Sequence, residues 1–164
     1  MIVVLMGVSG SGKTTIGTRL AERMGAVFAD ADDYHPPANK LKMAAGHALT
    51  DEDREPWLET LNRMLCGWFE AKKSGVLACS ALKEAYRTTL SAGMPAGAVV
   101  FVLLDGDKAL FAERMAERHH EFMNPALLDS QLATLEAPGD ALRVVNDRTP
   151  NEVTSEILAR LPVG

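Results

Sequence analysis

Cysteine is scarce in this sequence: among 164 residues, only Cys66 and Cys79 carry a thiol. Two cysteines at this separation give neither a disulfide framework nor the spacing of a zinc site. Both stand among apolar residues. We therefore expect two buried free thiols in a protein that is kept in a reducing compartment.

Long hydrophobic runs are also absent. No apolar stretch approaches the roughly 20 residues that a membrane-spanning helix needs. The first residues form an apolar, strand-like run, which does not fit a removable signal peptide. We therefore expect no membrane association and a cytoplasmic location.

Positive charge is in the minority. Lysine and arginine number 17 against 22 aspartates and glutamates, which gives a net charge of −5. An acidic surface disfavours broad binding to nucleic acids or anionic membranes, so an anionic substrate would need a local basic cluster. With 47% hydrophobic residues, the chain has the size and composition of a single domain spanning 1–164.

The most informative stretch lies near the N-terminus and fits the pattern G-x-x-x-x-G-K-[ST]. Glycines let the backbone approach a phosphate closely, and successive N–H groups converge on the anion at the start of a helix. Lys13 would reach the β- and γ-phosphates of a nucleotide, and the Thr14 hydroxyl would ligate Mg²⁺. We therefore predict a phosphate-binding loop made of Gly7, Val8, Ser9, Gly10, Ser11, Gly12, Lys13 and Thr14.

Short apolar runs alternate with segments of helical periodicity along the rest of the chain. Strands are predicted at 2–6, 26–29, 76–79, 98–104 and 142–145. Helices are predicted up to Gly25, before Gly46, from near Pro56 towards Gly75, and at 81–90, 107–118, 126–135 and 151–161. This alternation predicts an α/β fold with a parallel sheet and helices on both faces. Ligands then bind at the edge where the strands end.

Three local features refine this outline. Adjacent prolines at 36 and 37 predict a loop over 30–37. Thr50 and Asp53 match a capping box, so a short helical turn should precede the helix that starts near Pro56. Asn151 is a plausible cap for the last helix.

Asp30 and Asp32 follow the second predicted strand, beside the phosphate-binding loop. Phosphoryl transfer needs positioning, charge neutralisation and a carboxylate that orients the attacking hydroxyl. We assign Asp32 to that role and Asp30 to Mg²⁺ or its water shell. Aspartates also cap helices and stabilise turns, and only the neighbouring loop favours the functional interpretation.

A cationic group is the counterpart of these carboxylates: Lys42, Arg54, Lys83 and Arg87. Arg54 opposes the dipole at a helix start, which indicates another partner, and arginine suits a bidentate carboxylate. For Lys42 and Lys83 an exposed surface position is equally compatible with the pattern. Ser80, at the end of the third strand, could bond to substrate, to Mg²⁺-bound water or to a helix N-terminus.

Arg114 and Arg118 lie on one helix face because they are four residues apart. They could reach the nucleotide, with Arg118 neutralising charge that develops during transfer. The alternative is an exposed salt-bridge face with Glu113 and Glu117, which would contribute little stability. Adjacent His119 and His120 lack the further ligands of a metal site.

Taken together, the chain resembles the gluconate kinases (gluconokinases), small P-loop kinases related to shikimate and adenylate kinases. Outside the phosphate-binding loop, the match rests on a block around Asp30, Asp32, His35 and Pro36 and on a block from Cys79 to Arg87. It continues through Asn39, Lys42, Gly46, Asp51, Arg54, Trp57, Arg114, Arg118, Phe122, Ser130, Gln131, Glu136 and Pro138. Many relatives have Gly-His-Phe after the second lid arginine, whereas here His120 and Glu121 precede Phe122.

The resemblance implies a three-layer P-loop kinase fold with a mobile lid near 118–126, and a homodimer. It implies a transferase of gluconate utilisation that binds ATP and Mg²⁺ and phosphorylates D-gluconate at its C6 hydroxyl. The catalytic residues would be Lys13, Asp32 and Arg118, with Arg114 nearer the adenine. The substrate-binding residues would be Asp32, His35, Lys42, Arg54, Ser80, Lys83 and Arg87, and the metal-binding residues Thr14 and Asp30.

Two other functions remain open at the level of sequence. A shikimate-like kinase would share the phosphate-binding loop, although the blocks around Asp32 and Ser80 argue against it. A nucleotide-dependent regulatory switch would also share the loop. Such GTPase switches usually carry Asn-Lys-x-Asp, which 39–42 matches only in part.

Overall fold

The computed structural model describes residues 1–8, 10–118, 125–136 and 141–162. In this part of the chain the strands form one parallel sheet in the order β2-β3-β1-β4-β5. The strands are β1 (Ile2–Met6), β2 (Val27–Asp30), β3 (Gly75–Ala78), β4 (Val99–Asp105) and β5 (Leu142–Val145). The predicted α/β fold is therefore confirmed. Because the strands are parallel, their carboxyl ends lie at one edge of the sheet.

Helices connect the strands and cover the sheet. They are α1 (Lys13–Met24), α2 (Pro37–Ala44), α3 (Asp51–Glu70), α4 (Glu84–Ser91), α5 (Lys108–Arg118), α6 (Pro125–Thr134) and α7 (Pro150–Arg160). A short 3₁₀ helix, Ala31–Tyr34, follows β2. Among the described residues, no helix combines the length and apolar character needed to cross a bilayer.

The central strand β1 shows why the protein has three layers. Ile2, Val4 and Met6 pack into a cluster with residues of α3 and α4. Val3 and Leu5, which alternate with them, pack into a second cluster with residues of α1 and α7. Because successive side chains point to opposite faces, a wholly apolar strand requires cover on both faces.

Two predictions around α2 and α3 were wrong. The 30–37 segment is not an irregular loop, because a 3₁₀ helix occupies 31–34 and Pro37 is the first residue of α2. Proline is tolerated there since the first helical N–H groups have no partner inside the helix. Pro56 does not divide α3, which is continuous from Asp51. Pro56 is exposed in the second turn, so water can satisfy the carbonyl that loses its partner.

Two helix starts also differ from prediction. Helix α4 begins at Glu84 rather than at the predicted residue 81, because Ala81 has a left-handed φ of 45°. The last helix is capped by Thr149 rather than Asn151: the Thr149 side chain accepts a hydrogen bond from the Glu152 N–H. The capping box of α3 is present as predicted, between Thr50 and Asp53.

The two cysteines differ in burial. Cys79 is buried as predicted, whereas Cys66 is only half-buried on α3. Both are free thiols. Burial raises the pKa of the Cys79 thiol to about 12, so this cysteine stays protonated and chemically inert.

Candidate active site

A cavity of about 760 Å³ lies at the edge of the sheet where the parallel strands end. Its walls come from the phosphate-binding loop, the residues after β2 and β3, the start of α3, and α6. Among the residues predicted from sequence, it is lined by Gly10, Gly12, Lys13, Thr14, Asp30, Asp32, His35, Arg54, Ser80 and Lys83. The fold therefore brings most of the predicted nucleotide and substrate residues to one place.

The phosphate-binding loop is closely packed at Gly7. A Cβ at Gly7 would lie 2.8 Å from the Ser11 Oγ and 2.9 Å from the Leu104 carbonyl oxygen, which leaves no room for a side chain. Val8 and Ser11 are buried and do not line the cavity. Ser9 lies outside the described residues.

Lys13 lies along the loop that precedes it. Its Nζ donates to the carbonyl oxygens of Gly7, at 2.9 Å, and Val8, at 3.0 Å. These bonds hold the ammonium group within the loop, where the phosphates of a nucleotide would bind.

Thr14 and Asp30 meet at the mouth of the cavity, where the Thr14 hydroxyl donates to Asp30 Oδ2 at 3.0 Å. Asp30 Oδ1 accepts the Asp32 N–H at 3.0 Å and so caps the 3₁₀ helix. Within the described part of the chain, no group of three or more His, Cys, Asp or Glu side chains could hold a metal. One hydroxyl and one carboxylate suit Mg²⁺, which keeps several waters and takes its other ligands from phosphates.

His35 forms part of the opposite wall. Its ring stacks on Trp57 with centroids 4.1 Å apart, and the Asn39 Nδ2 lies 3.2 Å from its Nδ1. Burial, then the positive charges of Arg54 and Lys40, lower the pKa of His35 to about 4. The ring is therefore neutral near pH 7. An amide N–H on Nδ1 leaves the ring proton on Nε2.

The cationic end of the cavity is organised around Tyr86. Its hydroxyl donates to Asp51 Oδ1 at 2.5 Å and accepts from Arg54 Nη1 at 3.0 Å. The Lys83 Nζ lies 3.1 Å from Asp51 Oδ1 and 5.6 Å from the centre of the Tyr86 ring. Hydrogen bonds from Tyr86 and Lys83 lower the pKa of Asp51, and the bond to Asp51 raises the pKa of Lys83. Arg54 and Lys83 thus both lie near the Asp51 carboxylate at this wall of the cavity.

Arg87 and Lys42 lie elsewhere, and neither lines the cavity. Arg87 is buried and donates to the carbonyl oxygens of Ala81 and Glu136, each at 2.8 Å. Arg87 therefore ties the turn after β3 to the segment that follows α6, and its predicted contact with substrate stays a prediction. Lys42 pairs with Asp53 at 2.5 Å, because α2 and the start of α3 are neighbours.

Arg114, on α5, lies beside the phosphate-binding loop. Arg114 Nη2 donates to the Asn146 carbonyl oxygen at 2.8 Å, and its Nη1 lies close to Gly12. Arg118 is the last residue of α5, and its side chain lies outside the described part of the structure, as do His119 to Glu121 and the rest of the predicted lid up to 124.

Sequence reasoning gave no role to Asn146 and Asp51. Asn146 directly follows β5, at the same edge as Asp30 and Ser80, so the rule that found those residues would also have selected it. Asp51 belongs to a helix start, where acidic residues are ordinary, and no local pattern marks its contact with Tyr86.

A sequence-family profile described as an AAA domain matches residues 2–138. The chain is 44% identical over 160 residues to the gluconokinase of Gluconobacter oxydans, covering 95% of this chain and 88% of that relative. It is 47% identical over 135 residues to the thermosensitive gluconokinase of Escherichia coli, covering 82% of this chain and 71% of the relative.

Solved structures show the same similarity. A gluconokinase from Sinorhizobium meliloti superposes with a TM-score of 0.87 at 41% identity, covering 97% of this chain and 90% of that one. A shikimate kinase from Aquifex aeolicus superposes with a TM-score of 0.59 at 20% identity, over 98% of this chain and 96% of that one. The second similarity concerns the fold alone.

Proposed function

Because the chain belongs to the gluconokinase family of small P-loop kinases, we propose that it phosphorylates D-gluconate at C6, using ATP. The products are 6-phospho-D-gluconate and ADP. One observation supports this most directly: the same cavity is lined by the phosphate-binding loop, by the exposed Asp32 just after β2, and by Arg54 and Lys83, which suit a carboxylate. The family supplies the identity of the acceptor.

Nucleotide binding uses the loop from Gly7 to Thr14. Its N–H groups and the start of α1 hold the phosphates, and Lys13 moves its ammonium from the loop carbonyls to the β- and γ-phosphates. Thr14 and Asp30 would hold Mg²⁺, directly or through water. The metal, when bound, neutralises charge on the β- and γ-phosphate oxygens.

The acceptor carboxylate binds at the cationic end. Arg54 keeps most of its guanidinium donors for a ligand, because the described residues engage only one nitrogen, through Tyr86 and Asp51. Lys83 provides a second positive charge at the same wall. His35 presents a neutral ring to the polyol, which can share hydrogen bonds with hydroxyl groups without attracting a second anion.

The transfer step requires that the C6 hydroxyl faces the γ-phosphorus in line with the bridging oxygen of ADP. Asp32 orients this hydroxyl and accepts its proton as the new oxygen–phosphorus bond forms and the bond to the bridging oxygen breaks. Lys13 and Arg118 stabilise the charge on the transferred group. The role of Arg118 rests on the family resemblance.

Several features of the proposal concern the whole protein. A single P-loop kinase domain over 1–164, a lid near 118–126, a homodimer and a cytoplasmic location remain predictions from the sequence. Light scattering after gel filtration tests the assembly directly.

The proposed reaction is tested by measuring ADP release with Mg·ATP and one acceptor at a time: D-gluconate, shikimate, AMP, glucose or none. The product is identified with NADP⁺ and 6-phosphogluconate dehydrogenase. Turnover with gluconate alone is expected. Turnover with shikimate or AMP instead of gluconate would agree with the assignment of the phosphate-binding loop but contradict the proposed acceptor.

A further inference from the structure

We propose that Asn146 is a positioning residue for nucleotide binding, which holds the phosphate-binding loop and Arg114 in one fixed arrangement. Asn146 immediately follows β5 and is only 4% exposed. A buried amide is stable only when its polar atoms form hydrogen bonds, so the hydrogen-bond partners of Asn146 indicate its role. The inference rests on the proposed function only in requiring that the chain binds a nucleotide.

The side chain of Asn146 acts on the loop through Ser11. Its Nδ2 donates to the Ser11 carbonyl oxygen at 2.6 Å, across 135 residues of sequence. The peptide bond between Ser11 and Gly12 is trans, so its N–H and C=O groups point in opposite directions. Anchoring the carbonyl on Asn146 therefore turns the Gly12 N–H away from Asn146. The loop presents a donor, and not a carbonyl oxygen, to the phosphates.

Asn146 also explains why position 12 is glycine. A Cβ at Gly12 would lie 2.4 Å from the Asn146 Nδ2, closer than any real contact. Gly12 also has φ of +94°, in the left-handed region that glycine accepts without strain. The amide and the loop backbone are thus packed directly against each other.

The backbone of Asn146 acts on Arg114. The Asn146 carbonyl oxygen accepts from Arg114 Nη2 at 2.8 Å, while the Asn146 N–H donates to the Asp105 carbonyl oxygen at 2.8 Å. Arg114 Nη1 is buried and has no hydrogen-bond partner within the described residues. It lies 3.9 Å from the position that a Gly12 Cβ would take.

An unpaired buried guanidinium N–H is costly, and an anionic ligand at the loop would satisfy it. Asn146 therefore joins two contacts that a nucleotide needs: a loop whose N–H groups point at phosphate, and an arginine held beside that loop. Both contacts form before any ligand arrives, so binding does not require the loop to reorganise.

The test is a titration of the wild-type protein, Asn146→Ala and Asn146→Ser with a fluorescent N-methylanthraniloyl ADP, without gluconate and well below each melting temperature. Serine keeps a polar group but is one bond too short to reach the Ser11 carbonyl oxygen. If the alanine variant does not fold, the nucleotide Kd of the serine variant tests the inference. We expect the nucleotide Kd to rise about tenfold in both variants, with little change in the KM for gluconate.

The matched control is Asn62→Ala. Asn62 donates through its amide to the carbonyl oxygens of Leu90 and Ala92, each at 2.9 Å, away from the cavity. Its loss should lower the melting temperature and leave the nucleotide Kd unchanged. If the Asn146 variants behave like this control, with a Kd within about twofold of wild type, the inference is wrong. A wild-type protein that binds the nucleotide but does not phosphorylate gluconate would contradict the proposed function alone.

Discussion

At the scale of single residues, the two strand-end aspartates have different environments. Asp30 is engaged on both oxygens, by the Thr14 hydroxyl and by the Asp32 N–H. Asp32 is exposed at the cavity wall, on the 3₁₀ helix that Asp30 caps. The first carboxylate is therefore suited to a fixed structural and metal-binding role, and the second is accessible to an acceptor hydroxyl.

Asp32→Asn should lower kcat roughly 10²- to 10⁴-fold, the usual contribution of a positioned acid–base group, because an amide cannot accept the proton. The ATP Kd should stay close to wild type. Steady-state kinetics and a nucleotide titration measure the two effects. Asp33→Asn is the control, since it removes the same charge from the same 3₁₀ helix and should retain turnover. Equal losses in both variants would argue against Asp32 as the proton acceptor.

Arg54→Leu should raise the KM for gluconate by about 10- to 100-fold, since a charge-assisted bond to a carboxylate is lost. The KM for ATP should change little. Arg63→Leu, on the same helix, is the matched control because Arg63 is exposed and bonds only to the Thr60 hydroxyl, at 3.3 Å, among the described residues. A change confined to the KM for ATP would show that the carboxylate binds elsewhere.

At the scale of secondary-structure elements, the start of α3 connects the acceptor wall to α2. Asn39 on α2 donates to the Asp53 carbonyl oxygen at 2.8 Å and also contacts His35. The Trp57 indole donates to the Ala31 carbonyl oxygen at 2.7 Å and fixes the 3₁₀ helix against α3. The position of His35 thus depends on three elements at once.

These contacts predict a pH-dependent stability. Because the pKa of His35 is lowered from 6.5 to about 4, the unfolded chain binds a proton that the folded chain does not over this interval. Stability should therefore fall as the pH drops from about 6.5 towards 4. Bonds from Lys42 and Thr50 lower the pKa of Asp53 from 3.8 to about 2, so its contribution is lost only at still lower pH.

Urea unfolding at pH 7 and pH 5 measures the effect. In His35→Gln the part of the slope due to this ring should disappear. An unchanged slope in His35→Gln would mean that folding does not lower the pKa of this ring.

At the scale of the whole molecule, charges of both signs meet in one cavity at the edge of the sheet. The cations are Lys13, Lys40, Arg54 and Lys83, and the carboxylates are Asp30, Asp32, Asp33 and Asp51. A ligand that binds only the folded protein shifts the folding equilibrium, so substrate binding should stabilise the protein.

Mg·ATP at about 100 times its Kd should stabilise the protein by about 2.7 kcal/mol through mass action. Chelation of the metal should reduce this gain, because the triphosphate then lies beside Asp30 without a counter-charge. Thermal unfolding with ATP in the presence and absence of a chelator gives the comparison, and AMP serves as the control ligand. Equal stabilisation by ATP with and without metal would contradict the assignment of Thr14 and Asp30.

Features that depend on contiguous residues could be predicted before the structure was known. The phosphate-binding loop is one uninterrupted pattern, and the alternation of buried strands and helices follows from local hydrophobic periodicity. Asp30, Asp32 and Ser80 could be placed at one edge because parallel strands end together. The predicted cap of the last helix, Asn151, was wrong because Thr149, two residues earlier, accepts the hydrogen bond from the first turn.

Which side chains reach the cavity depends on how the helices pack. Arg54 and Arg87 were both predicted to bind substrate, yet packing places the first at the cavity and buries the second against backbone carbonyls. Asn146, after β5, bonds to Ser11 in the loop after β1, and Tyr86 on α4 bonds to Asp51 on α3. Such contacts join distant residues, and their partners are set by the packing of whole elements, for which no local pattern exists.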